Sequence, residues 1–158
     1  QKKLDKNGQI IYKACKEIEM KVLYTGGTFD LFHFGHVEFL EKCRMISDKV
    51  VVALNTDEFV SEYKSEPVMN YEERRRSLLG CQYVDEVIPN LYGADSKPAI
   101  LSVKPQIIAI GDDWAHKDYF KQMNFTQEWL EENEIVLVYV PNPGIISTSE
   151  LKRRLVSG

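Results

Sequence analysis

Short, nearly continuous apolar runs alternate along the chain with longer stretches in which apolar residues recur every three or four positions. Runs at 21–24, 50–54, 84–88, 107–110 and 135–140 are rich in valine and isoleucine and are bounded by turn residues, which predicts five strands. Helical spacing marks 36–45, 71–79, 97–103, 126–132 and a last stretch from about 148 to 156. Strands without a polar face need cover on both sides, and strands separated by helices connect in parallel. The expected fold is therefore α/β, a doubly wound five-stranded parallel sheet with helices on both faces. Ligands of such sheets bind beyond the carboxyl ends of the strands, so the chemistry is to be sought in the loops that follow them.

Residues 1–19 stand apart. Ile10, Ile11, Ala14 and Ile18 have helical spacing but precede the first strand in a heavily charged segment, so 1–19 is expected to be an extension, linker or added helix and 20–158 the domain. Residues 61–70, with Lys64, Ser65, Glu66 and Pro67, read as a mobile loop. A length of 158 residues with 44% apolar content suffices for one domain with a real core. The net charge of −4 is spread as mixed signs, with no basic stripe for nucleic acid. The longest apolar run, 135–140, ends at Pro141 and is far short of the ~20 residues of a membrane helix. With no signal-like apolar stretch near the start, a soluble cytoplasmic protein is expected. Cys15, Cys43 and Cys81 are scattered and odd in number, as expected of reduced packing residues rather than a disulfide framework or zinc site.

The densest chemistry follows the first strand: Thr25, Gly26, Gly27, Thr28, Phe29, Asp30, Leu31, Phe32, His33, Phe34, Gly35, His36. A glycine-rich turn from strand to helix presents backbone N–H groups and a helix N-terminus to an anion. His33 and His36 flank Gly35, so both imidazoles can face one phosphate while the glycine lets it approach the backbone. A hydroxyl-rich turn, Ser147, Thr148 and Ser149, opens the last helix; Ser147 with Glu150 also has the pattern of a helix-capping box. Asp112, Asp113 and Trp114 follow the fourth strand, where carboxylates and an indole can hold a base, a ribose or an acceptor hydroxyl, although such residues also cap turns.

Gly27-Thr28-Phe29-Asp30 followed by His33-x-Gly35-His36 resembles the signature of the cytidylyltransferase-like nucleotidyltransferases, and is similar to their glycerol-3-phosphate cytidylyltransferase branch. The likeness continues in the same order through 55–59, 71–75, 83–89, 111–114 and 146–149, covering about residues 20–156. It implies a Rossmann-like fold, a homodimer, and transfer of CMP from CTP to a small phosphorylated alcohol, most readily glycerol 3-phosphate, with loss of pyrophosphate. Mg²⁺ would be carried mainly by the nucleotide phosphates, with no side-chain metal site. By the same resemblance His33, His36, Arg74 and Lys64 serve catalysis. Gly26, Gly27, Thr28, Phe29, Asp30, Gly35, Asn142, Ser147, Thr148 and Ser149 bind the nucleotide, and Asp112, Asp113 and Trp114 form the acceptor or base pocket. His116 and Lys117 lie close by. Lys97 is added to that pocket from its place at the start of a helix, as a candidate for the acceptor phosphate, with a surface lysine as the other reading.

Three positions depart from the family pattern. Gln82 and Asn142 stand where relatives carry arginine, and Ile145 stands where they carry glycine beside Gly144. The first two changes are expected to remove charge near the triphosphate. Lys152, Arg153 and Arg154 are alternative cations, read here as complements to the helix dipole. The rival readings are an ATP-dependent adenylyltransferase acting on a sugar or polyol phosphate and a non-catalytic nucleotide-binding module.

Overall fold

The computed structural model describes residues 2–4, 10–12, 19–63, 66–113, 117–141, 144 and 146–157. The principal sheet has five strands: β3 (Val22–Gly27), β4 (Lys49–Asn55), β5 (Glu86–Asn90), β6 (Ile107–Gly111) and β7 (Val136–Val140). All neighbours are parallel, in the order β5-β4-β3-β6-β7. The doubly wound sheet expected from the sequence is the one observed. Strands β1 (Lys2–Leu4) and β2 (Ile10–Tyr12) form a separate antiparallel pair, so the helical spacing of Ile10 and Ile11 misled.

Alternation along each strand divides the apolar residues between two cores. Leu23, Val50, Val52, Leu54, Ala109 and Val140 face one side, against Leu40 and Cys43 of α1 (Phe34–Met45) and Leu78 of α3 (Tyr71–Leu79). Tyr24, Ala53, Ile108 and Ile110 face the other, against Ala99 and Ile100 of α4 (Lys97–Val103), Tyr119 of α5 (Tyr119–Met123) and Leu130 of α6 (Gln127–Glu132). Cys43 and Cys81 are buried free thiols. Cys15 lies outside the described residues.

Two short helices were not legible in the sequence. Helix α2 (Asp57–Tyr63) contributes few apolar positions, and its start is marked by Thr56, whose Oγ1 accepts the Phe59 N–H at 3.3 Å. It takes the first part of the stretch read as a loop. The five-residue α5 is set by Asp118 at its N-cap. Helix α1 begins at Phe34 rather than His36 because His33 is its cap, and β5 starts two residues late because the Val84 N–H closes a turn onto Cys81. The final helix, α7 (Thr148–Val156), is capped by Ser147, whose Oγ accepts the Glu150 N–H at 3.1 Å. Only the serine half of the expected box forms, since Glu150 binds Arg153 and Arg154.

The order in which strands are added to the sheet reverses between β3 and β6. The chain leaves β3 through α1 toward β4, whereas β6 lies on the opposite side of β3 and continues to β7. This switch point opens a crevice at the carboxyl ends of the two central strands.

Candidate active site

A cleft of about 680 Å³ occupies that crevice. It gathers the turn after β3, the end of β6 and the start of α7: Gly26 to Asp30, His33, Gly35, His36, Gly111, Asp113, Ser147, Thr148, Ser149 and Lys152 all line it. The turn is strained. Phe29 and Leu31, on either side of Asp30, have φ of 50° and 48°, a left-handed conformation that costs roughly 1–2 kcal/mol for a non-glycine residue. Gly35 is required by close approach, because a Cβ there would sit 3.1 Å from the His33 ring and from Ile146.

The two histidines interlock. Gly35 N–H donates to His33 Nδ1 at 3.2 Å, and His33 N–H donates to His36 Nδ1 at 3.3 Å. The rings stack with centroids 3.8 Å apart, and His36 is flanked by Phe29 and Phe32. Because each Nδ1 accepts from the backbone, the proton of each neutral imidazole sits on Nε2. In His33 that atom is buried and has no partner among the described residues, and neither has Thr25 Oγ1, on another residue of the cleft wall. Orphaned buried donors in a cleft call for a ligand that accepts.

Burial lowers the proton affinity of both rings. His36 is brought down to about 3, by burial first and then by His33, with Asp30 acting in the opposite direction; burial also lowers His33. Both are neutral at pH 7. Unfolding restores a value near 6.5, so below that pH the unfolded chain binds the extra protons and stability is lost as pH falls from about 6.5 toward 3. Differential scanning calorimetry should show Tm falling between pH 7 and 5, above the carboxylate range, with a smaller slope in His36→Asn. A flat Tm over that interval would contradict this picture of the cap.

Asp30 is a structural hub. Its Oδ1 accepts the N–H of Leu31 and Met69, each at 3.0 Å, and its Oδ2 accepts the N–H of Val68 at 3.0 Å and meets Lys152 Nζ at 3.0 Å. Burial pushes its carboxyl up, but the Met69 and Val68 N–H groups and Lys152 outweigh it and hold the group below its usual value. Thr148 Oγ1 donates to the Asp30 carbonyl at 2.9 Å, which fastens α7 to the first loop. At Gly111 a Cβ would lie 2.7 Å from Asp113 Oδ1, the tip of a side chain that is exposed and free to swing aside. Asp113 also pairs with Lys117 at 3.0 Å.

Several expected roles change. Arg74 is not in the cleft. It is fully buried, and its Nε donates to the Met69 carbonyl at 3.0 Å. Nη1 donates to the Thr28 and Asn55 carbonyls at 2.7 and 3.0 Å, and Nη2 to the Asn55 carbonyl and Asp57 Oδ1 at 3.0 and 2.5 Å. All five N–H groups are committed, so Arg74 ties together the ends of β3 and β4 instead of touching phosphate. Lys97 lies in a separate cavity with Lys121 and Trp129, 3.8 Å from Asp95. Gln82 sits in the turn before β5, where the Asp85 N–H reaches the Val50 carbonyl near the start of β4. That is the amino edge of the sheet, so the missing arginine takes no charge from this chain's own cleft. Conversely, Lys152, set aside in the sequence as a dipole partner, lines the cleft. Its signal was there: it lies four residues after Thr148, on the same helix face. Lys64, Trp114, His116, Asn142 and Ile145 lie outside the described residues. Among those described, no group of three or more His, Cys, Asp or Glu side chains can hold a metal.

Residues 24–154 match the model of the cytidylyltransferase-like family. The chain belongs to that family. As such it is a nucleotidyltransferase-type enzyme. It is 35% identical over 137 residues to glycerol-3-phosphate cytidylyltransferase of Bacillus subtilis, with 86% of this chain and 98% of that protein covered. It is 40% identical over 95 residues to ethanolamine-phosphate cytidylyltransferase of Dictyostelium discoideum, covering 59% of this chain but only 26% of the longer relative. In fold it is similar to a lipopolysaccharide core biosynthesis protein of Thermoplasma volcanium, with a TM-score of 0.64, 24% identity, and 78% of this chain and 96% of that one covered. No described helix is long and apolar enough to cross a membrane.

Proposed function

We propose that this enzyme transfers CMP from CTP to the phosphate of a small phosphorylated alcohol, glycerol 3-phosphate foremost. A phosphate oxygen of the acceptor attacks the α-phosphorus, the bond from that phosphorus to the bridging oxygen breaks, and pyrophosphate leaves. The observation that carries the reading is the interlocked histidine cap. Both Nδ1 atoms are held by the backbone, so both Nε2–H groups are preset as donors at the mouth of α1, where a crowded α-phosphate gains most from them. Ser147, Thr148 and Ser149 stand across the cleft, beside the N-terminal N–H groups of α7, and suit the outer phosphates. Asp113, at the end of β6, suits the nucleoside or the acceptor. The likeness to glycerol-3-phosphate cytidylyltransferase over nearly that protein's whole length supports the choice of acceptor.

The wall of the cleft is rich in donors and poor in free carboxylate, because Asp30 is saturated and Asp113 is paired. This fits Mg²⁺ delivered by the phosphates rather than by a protein cage, supplying charge neutralisation of the leaving group. A homodimer belongs to this reading through the family resemblance.

The test is a matrix of CTP, ATP, UTP and GTP against glycerol 3-phosphate, phosphocholine, phosphoethanolamine and sugar phosphates, followed by pyrophosphate release. CTP with glycerol 3-phosphate should give the highest kcat/KM. ATP exceeding CTP would overturn the cytidylyl assignment in favour of adenylyl transfer, and no pyrophosphate from any pair would leave a binding module.

A further inference from the structure

We infer that Asn90 is a positioning residue for nucleotide binding, acting through Asn55 to turn the hydroxyl proton of Thr28 into the cleft. The inference rests on the proposed binding of a triphosphate there, though not on which base it carries. Asn55 and Asn90 close β4 and β5 and are register partners in the parallel ladder, so their side chains share one face at the carboxyl edge. Thr28 follows the last residue of the neighbouring β3 and lines the cleft. Asn90 is only 7% exposed and reaches Thr28 through Asn55. Arg74 fixes the spacing, because its Nη1 donates to the carbonyls of both Thr28 and Asn55.

The direction of this relay is set by a backbone group. Asn90 Nδ2 donates to the Gly93 carbonyl at 3.1 Å and to Asn55 Oδ1 at 3.0 Å. A carbonyl can only accept, so the Asn90 amide cannot be turned over. Asn55 must therefore show Asn90 its oxygen, which leaves its nitrogen facing Thr28, where Nδ2 donates to Oγ1 at 3.4 Å. A hydroxyl that accepts on one side directs its single proton elsewhere, and in an anion-facing turn a phosphate oxygen gains most from it. Asn90 Oδ1 is buried and has no partner among the described residues. That oxygen contributes nothing to folding, so the amide's use lies in the two bonds its N–H groups make.

Titration calorimetry on the whole chain, with Mg²⁺ and whichever of CTP, ATP, UTP and GTP the parent binds most tightly, separates this role from a structural one. Thr28→Val should raise Kd about 10-fold or more, the scale of a hydrogen bond to a charged group. Asn90→Leu should raise it about three- to tenfold, because Asn55 can then turn its oxygen to the hydroxyl and take the proton. In the Thr28→Val background the same Asn90→Leu change should alter Kd by less than about twofold, since no hydroxyl is left to turn. Equal losses in the two backgrounds would make Asn90 only a support for the turn after β5, and an unchanged Kd in Asn90→Leu alone would also overturn the relay. If Asn90→Leu does not fold, Asn55→Asp carries the comparison. Its carboxylate accepts from Asn90 with one oxygen and from Thr28 with the other, so its effect on Kd should likewise shrink once residue 28 is valine. A parent that binds no triphosphate would remove the proposed function and the relay together, whereas a parent that binds one and variants that act additively would remove the relay alone.

Discussion

His36→Ala should lower kcat by about 10²-fold or more, the usual loss on removing one preorganised donor to a developing charge. The ring is fixed on three sides, by the His33 N–H at Nδ1, by stacking on His33 and by Phe29 and Phe32. Its Nε2–H therefore needs no reorganisation when the α-phosphorus becomes crowded. Alanine also deletes half of the helix cap, worth about 1 kcal/mol, so the catalytic loss needs separating from a stability loss. His36→Asn does this: its amide oxygen can replace Nδ1 as acceptor for the His33 N–H, while nothing replaces Nε2. Turnover should fall nearly as far as in the alanine variant, with Tm close to that of the parent. Near-normal kcat in a folded His36→Asn protein would remove His36 from the chemistry.

For Arg74→Ala, the loss is in folding. The guanidinium is fully buried and serves the carbonyls of Met69, Thr28 and Asn55 together with Asp57. Its removal opens a cavity and strands several acceptors, each costing about 1–3 kcal/mol when left unsatisfied. A total near 3–5 kcal/mol is expected, as for breaking a buried pair, which is about 6–20 °C in Tm for a chain of this size. Arg74→Lys should rescue little, because three donors on a flexible stem cannot reproduce a planar five-donor fork. The measurement is a thermal melt with and without nucleotide. An unchanged Tm with a raised KM for the triphosphate would return Arg74 to the list of phosphate ligands.

The two histidines and Arg74 were equally visible as motif residues, yet only the histidines line the cleft. His33 and His36 are three residues apart on a cap, so their mutual geometry is local and follows from chain spacing. Arg74 acts on carbonyls at residues 28 and 55, whose proximity arises only when β3 and β4 pair. An arginine opening a charged helix looks like surface or like an anion ligand, and nothing in its neighbours reports that it will be buried.

Five strands, their parallel pairing and their cover by helices followed from apolar runs and turn residues, because period-two burial and helical periodicity are properties of neighbouring residues. The glycine-rich turn that ends in the cap of α1, and the serine cap of α7, were legible for the same reason. What only the tertiary structure decided is long-range. Asp30 gathers residues 68 and 69, Thr148 and Lys152 around one carboxylate and its carbonyl. Gln82 is carried to the amino edge of the sheet, and Lys97 to a cavity of its own. A side chain's charge and length are written in the sequence, but whether it meets a phosphate, a carbonyl or water depends on which strand ends lie side by side. That is fixed by packing two cores around one sheet.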